Sequence, residues 1–197
     1  MIGSPLLIAG MLLAGPAEPQ VSYKRPKVDT LAVTIMAGFA RCAADRDPTG
    51  ARALLAADYH TPEYDRTLRA FALSHRGCLV GGQLRFNPLL LAGGMAEELM
   101  RRDGVTADKL ESAAKADTAD TFERCVIREK SRDVAALFGT PPASAAENEA
   151  FARLQPAYPG CLQRGRTMVA NTIGLRARLA LATYRLFNGP FGAGTEG

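Results

Sequence analysis

The chain contains no tryptophan, and aromatic residues make up only 7% of it. A core poor in large aromatics and built mainly from Ala, Leu and Val must be packed closely, and small side chains let helices lie near one another. The same scarcity removes the stacking platform on which single-stranded nucleic acid would lie, so nucleic acid is disfavoured as a partner. Histidine is confined to His60 and His75, and no H-E-x-x-H metal spacing occurs. No G-x-S-x-G elbow marks a nucleophile. Gly93-Gly94 is not followed by the Lys-Ser/Thr of a phosphate-binding loop and reads instead as a point of close helix contact. No cofactor is implied. Neither sign of charge dominates: the net charge is +4 and the pI about 9.0, which permits adhesion to anionic surfaces without demanding it. No apolar run reaches the ~20 residues that span a bilayer. Strand candidates are short, Cys78–Val80 and Gln83–Phe86.

Cysteine is also scarce, but its four positions are ordered. Phe39-Ala40-Arg41-Cys42 is answered by Gly77-Cys78-Leu79; Phe122-Glu123-Arg124-Cys125 is answered by Gly160-Cys161-Leu162. Both pairs are 36 residues apart, and the two sets are offset by 83. An even cysteine count in an oxidising compartment reads as disulfides. Of the three connectivities, the repeat favours Cys42–Cys78 and Cys125–Cys161, one staple per copy, each worth on the order of 3–4 kcal/mol by loop-closure entropy. A four-cysteine zinc site would need a C-x2–4-C pair, and there is none.

The N-terminus points to such a compartment. Pro5 to Ala14 is apolar and uncharged, and Gly15-Pro16-Ala17 supplies small residues for cleavage. This predicts a signal peptide over 1–17, although Met1–Ser4 has no basic side chain. Leu12-Leu13-Ala14-Gly15 resembles the start of a lipoprotein signal, but Pro16 follows where cysteine would be acylated. The expected product is periplasmic or secreted, without a lipid anchor or transmembrane segment.

Helical periodicity fills the rest. Ala leads the helix-propensity scale, and Asp47-Pro48, Thr61-Pro62 and Asn87-Pro88 each join a good N-cap to a good first helical residue. Leu31, Ile35, Phe39 and Cys42 fall on one face, expected to be buried. Ser144-Ala145-Ala146-Glu147 has capping-box spacing. The expected fold is all-α, about eight helices in two tandem four-helix pseudo-repeats with one disulfide each. The boundaries are a flexible lead-in over 18–27, repeat 1 over 28–103, a connector over 104–117, repeat 2 over 118–187 and a flexible tail over 188–197. The connector could lengthen the first helix of repeat 2. In the last helices the offset becomes 84, pairing Asn87 with Asn171, Leu91 with Leu175 and Met95 with Leu179.

Arg46-Asp47-Pro48, Leu54-Leu55, Gly77-Cys78-Leu79, Leu84-Arg85-Phe86-Asn87 and Ala96-Glu97-Glu98-Leu99-Met100-Arg101 resemble a pattern in uncharacterised exported proteins of alphaproteobacteria, of the sphingomonad kind. The resemblance covers most of 39–102 and, more loosely, 122–185. It implies export and a cysteine-bearing helical repeat, and it brings no catalytic residue.

Chemistry-bearing residues are few. Asp58-Tyr59-His60 could form an acid–base cluster, or simply cap a helix start. His75 beside Ser74 sits at a helix end, where a cation suits the dipole. Glu97-Glu98 point about 100° apart on a helix and read as a solvated face; their counterparts are Leu181 and Ala182. Arg153, Arg164, Arg166, Arg176, Arg178 and Arg185 concentrate charge in the second copy. Arg178 and Arg185 are one heptad apart and Arg176 lies near the same side, so these three are the candidate contacts for an anionic partner. The leading expectation is a binding module of the cell envelope whose partner is another envelope protein or an anionic surface component. The alternatives are a small periplasmic hydrolase at Asp58, Tyr59 and His60, and a purely structural envelope protein.

Overall fold

A computed structural model of the chain describes residues 21–23, 29–57, 61–80, 87–162 and 168–189. The expected signal peptide, most of the lead-in, the Asp58-Tyr59-His60 cluster, and nearly all of the tail lie outside the described residues.

Among the described residues the fold is helical apart from one short ladder. The order is β1 (Val21–Tyr23), α1 (Thr30–Arg46), α2 (Pro48–Ala56), α3 (Pro62–Ser74), a 3-10 turn (Arg76–Cys78), α4 (Pro88–Arg102), α5 (Ala107–Ala116), α6 (Phe122–Phe138), α7 (Ala145–Leu154), a 3-10 turn (Gln155–Ala157), α8 (Tyr158–Cys161), β2 (Met168–Ala170) and α9 (Thr172–Asn188). Each expected start signal acts as a cap. Asp47 Oδ1 accepts the Gly50 N–H at 2.8 Å, Thr61 Oγ1 the Tyr64 N–H at 3.2 Å, and Asn87 Oδ1 the Leu89 N–H at 2.9 Å. Asn171, aligned with Asn87, caps α9 through the Gly174 N–H at 2.6 Å.

Both disulfides form as the spacing predicts. Cys42–Cys78 ties α1 to the turn after α3, and Cys125–Cys161 ties α6 to α8.

The helix α4 lies between α1 and α9, its most extensive neighbours, and the glycine pair makes this possible. A Cβ on Gly94 would lie 2.6 Å from the Ala40 Cβ, and one on Gly93 would lie 2.6 Å from both Cα and Cβ of Ala177. The core has two parts. One is built on α1 to α4 and the other on α5 to α8; α9 enters the first through Ala180 and Tyr184 and the second through Leu175 and Leu179.

Three expectations are corrected. On α1, Leu31 is 66% exposed and Ile35 36% exposed; the buried side carries Met36, Phe39, Ala40, Ala43 and Ala44. The closest approach decides which face turns inward, and the contact of Ala40 with Gly94 requires the alanine face. The connector forms a helix of its own, α5, capped by Thr106 and separated from α6 by Asp117–Thr121. The lead-in is not wholly irregular, since Val21, Ser22 and Tyr23 pair in parallel with Met168, Val169 and Ala170. Three residues are too few to show a period-two pattern. The first two helices expected over 118–138 are both present within α6, which breaks at Lys130, where the backbone is non-helical at φ −138° and ψ 35°. Lys130 stands 83 residues after Asp47, the equally non-helical residue between α1 and α2.

Candidate functional site: a groove at the seam and a smaller cleft

A groove of about 1020 Å³ opens between α2, α3 and the start of α4 on one side and α9 with the start of α6 on the other. Its apolar surface includes Leu54 and Leu55 of α2, Leu89 and Ala92 of α4, and Leu181 and Ala182 of α9. Charge is held at its edges in pairs. The Arg124 guanidinium donates to both oxygens of Asp117, Nε to Oδ2 at 2.7 Å and Nη2 to Oδ1 at 2.6 Å, and Nη1 donates to the Ala182 carbonyl at 3.0 Å. That fork holds the Asp117 carboxyl below the usual carboxylate range. Arg178 is ion-paired with Glu123. Tyr64 and Arg185 complete the rim; burial pushes the Tyr64 phenol up, against the opposing charge of Arg185.

Thus two of the three arginines expected to meet a partner, Arg178 and Arg185, line this groove. They project from α9 seven residues apart, with Leu181 and Ala182 between them. The third, Arg176, does not, and that expectation is corrected.

Arg176 is 5% exposed and lines a second, smaller cleft of about 420 Å³. Its five N–H donors all find acceptors. Nε and Nη2 fork onto Glu97 at 2.7 Å each. Nη1 reaches Glu147 Oε1 at 3.0 Å and Thr140 Oγ1 at 3.2 Å, and Nη2 also reaches the Thr140 carbonyl at 3.1 Å. Glu147 is set by the expected capping box. Its N–H donates to Ser144 Oγ at 3.1 Å, while Oε2 accepts the N–H of Ala143 at 2.8 Å, one residue before the cap. Burial pushes the Glu97 carboxyl up, opposed by Arg176 and reinforced by the Glu147 charge.

The reading of Glu97-Glu98 as a solvated face is therefore also corrected. Glu98 is 2% exposed, with Arg101 Nε donating to it at 2.9 Å and Arg41 Nε 3.8 Å away. Two buried carboxylates on one helix are tolerated because arginines from α1, α4 and α9 meet them.

Elsewhere the candidates find structural employment. His75 Nδ1 lies 2.8 Å from the Phe71 carbonyl, to which Ser74 Oγ also donates at 2.8 Å. Ser74 Oγ also lies 3.0 Å from His75 Nδ1, so both side chains gather at the Phe71 carbonyl in the last turn of α3. Among the described residues no group of His, Cys, Asp and Glu converges to hold a metal. No helix of the described residues is long and apolar enough to cross a membrane. No protein-family model, curated protein or solved structure matches the chain.

Proposed function

We propose that this chain is an exported, disulfide-stapled binding module made of two duplicated helical units, and that the groove at their seam is its working site. The groove itself carries the reading: about 1020 Å³ of space with an apolar floor and a few polar groups at its edges, the size and make-up typical of sites for small organic ligands. Export is supported by the apolar N-terminal run with its small-residue site and by two formed disulfides with no free cysteine. Duplication is supported by the equal spacing of the two disulfides, by the paired Asn87 and Asn171 caps, and by the kink at the position where repeat 1 breaks.

The test is binding of the amphiphilic dye ANS, whose fluorescence rises on leaving water. Saturable one-to-one enhancement is expected for the native protein. It should be lost in Ala182→Phe, which fills the groove from a half-buried position. Enhancement that survives Ala182→Phe places the dye elsewhere and ends the groove reading, leaving the purely structural role.

A further inference from the structure

The charges on the large groove cancel. Three carboxylates, Asp65, Asp117 and Glu123, and three guanidiniums, Arg124, Arg178 and Arg185, line it. Arg124 is forked onto Asp117, and Arg178 is paired with Glu123. Arg185 and Asp65 act on the same phenol, Tyr64, with opposite signs. Most of the two ion pairs is withdrawn from water: the side chains of Arg124, Asp117 and Glu123 are 17%, 10% and 13% exposed. Arg124 is further tied to the Ala182 carbonyl through Nη1. An anionic ligand would have to draw an arginine off its carboxylate, and a cationic ligand a carboxylate off its arginine. Either exchange leaves a largely buried charge without its counter-ion, which is unfavourable.

Between the pairs the surface is apolar. At the 84-residue offset, Ala92 and Leu181 of the groove stand where Arg176 and Glu97 stand in the smaller cleft. There, the guanidinium of Arg176 bridges α9 to α4 through Glu97. The groove has an alanine and a leucine at the matching places, so the space between its walls is suited to hydrocarbon and not to an ion.

We propose that the large groove binds an uncharged amphiphile, with a hydrocarbon body and a hydroxyl head. The body lies over Leu54, Leu89, Ala92 and Leu181. The hydroxyl stays at the rim beside Tyr64, whose phenol can both donate and accept a hydrogen bond. Such a head satisfies its hydrogen bonding without opening either ion pair. A peptide is less suited, because its backbone N–H and C=O groups would enter an apolar trough without partners. The inference rests on the groove reading above and adds the chemistry of the ligand.

The experiment uses Nile red, an uncharged dye whose fluorescence also rises on leaving water. Bound Nile red is displaced from the full oxidised protein at neutral pH by decanol, decanoate or decylamine. Decanol should compete at least about tenfold better than either ion, and the two ions should compete alike. Asp117→Asn leaves the Arg124 charge without its carboxylate. It should shrink the preference for decanol over decanoate at least about tenfold, the gain expected from one charge-assisted contact. Arg178→Gln leaves Glu123 without its guanidinium, and should shrink the preference for decanol over decylamine in the same way. Circular dichroism checks the fold of each variant; Asp117 precedes α6 and Arg178 lies on α9, so either variant alone carries the test if the other unfolds. Decanoate or decylamine matching decanol on the native protein overturns the uncharged-ligand inference while the groove reading survives. Preferences unmoved in the folded variants do the same, as does saturable binding of ANS without binding of Nile red. Absence of saturable binding of either dye overturns both.

Discussion

Removing Arg176 tests whether its ion pairs hold α9 against α4 and α7. In the native protein this one side chain neutralises part of two carboxylates, Glu97 and Glu147, whose side chains are 18% and 3% exposed. Arg176→Ala strands both. Breaking a buried ion pair from one side costs about 3–5 kcal/mol, because the remaining charges keep their desolvation penalty without a partner. Replacing the whole network is a different matter. The triple variant Glu97→Leu, Arg176→Ala, Glu147→Gln copies the apolar pair Leu181 and Ala92, and leaves glutamine to accept the Ala143 N–H. It should lie within about 1–2 kcal/mol of the native protein. Guanidinium unfolding followed by far-ultraviolet circular dichroism measures both. A pH series adds a sign. Burial already holds the Glu97 carboxyl above its usual range in the native protein, so its contribution is present below the unfolded value and lost as pH rises through the folded one. The Arg176→Ala deficit should therefore be greatest at neutral pH and shrink on acidification. A deficit below about 1 kcal/mol, or a triple variant no more stable than the single one, refutes the argument.

Two further expectations concern packing and the groove rim. Gly93→Leu drives a side chain into the backbone of Ala177 and should destabilise by at least about 2 kcal/mol, whereas Gly38→Ala, with nothing within 4 Å of the new methyl on an exposed face of α1, should stabilise by about 0.5–1 kcal/mol; the same denaturation assay reads both, and equal effects would contradict the close α4–α9 contact. Asp117 has a lowered folded pKa beside Arg124, so its contribution is complete above the unfolded carboxylate value of about 3.9 and is lost as pH falls through the lower folded value. The stability gap between the native protein and Asp117→Asn should stay level from neutral pH to about 5 and close below about 4; a gap that widens on acidification would contradict the pairing.

What could be read from the sequence was local or covalent. The cysteine frame led to both disulfides, the three Asx/Thr-Pro pairs to three helix starts, and the glycine pair to the tightest helix contact. The capping box at Ser144 was equally legible, because its partners are three and four residues apart. Glu97 was not, since its arginine lies 79 residues away and a carboxylate on a helix is ordinarily solvated. The buried face of α1 is not legible from hydrophobicity, which favours leucine and isoleucine over alanine, while the geometry of a glycine neighbour favours alanine. One signal for the site was nevertheless present. At the 84-residue offset Glu97 and Arg176 fall opposite Leu181 and Ala92, so a charged pair answers an apolar pair. Under the proposed duplication, two such matched differences mark a contact, and they fall on α4 and α9.

That exchange accounts for how an underfilled groove can persist. Leaving apolar side chains such as Leu54, Leu89 and Leu181 on an open groove forgoes burial worth about 25 cal/mol for each Å² left in water, and a seam with both ends open would invite the units to slide together. Here the far end of the same two helices is fixed by a guanidinium with every donor engaged, the middle by Gly93 against Ala177, and each unit by its own disulfide. With the helices held at those points, Ala92, Leu181 and Ala182 cannot close on one another by a small shift, because any such shift pulls Arg176 off Glu97. The ion pairs of Arg176 thus hold the same two helices that line the groove.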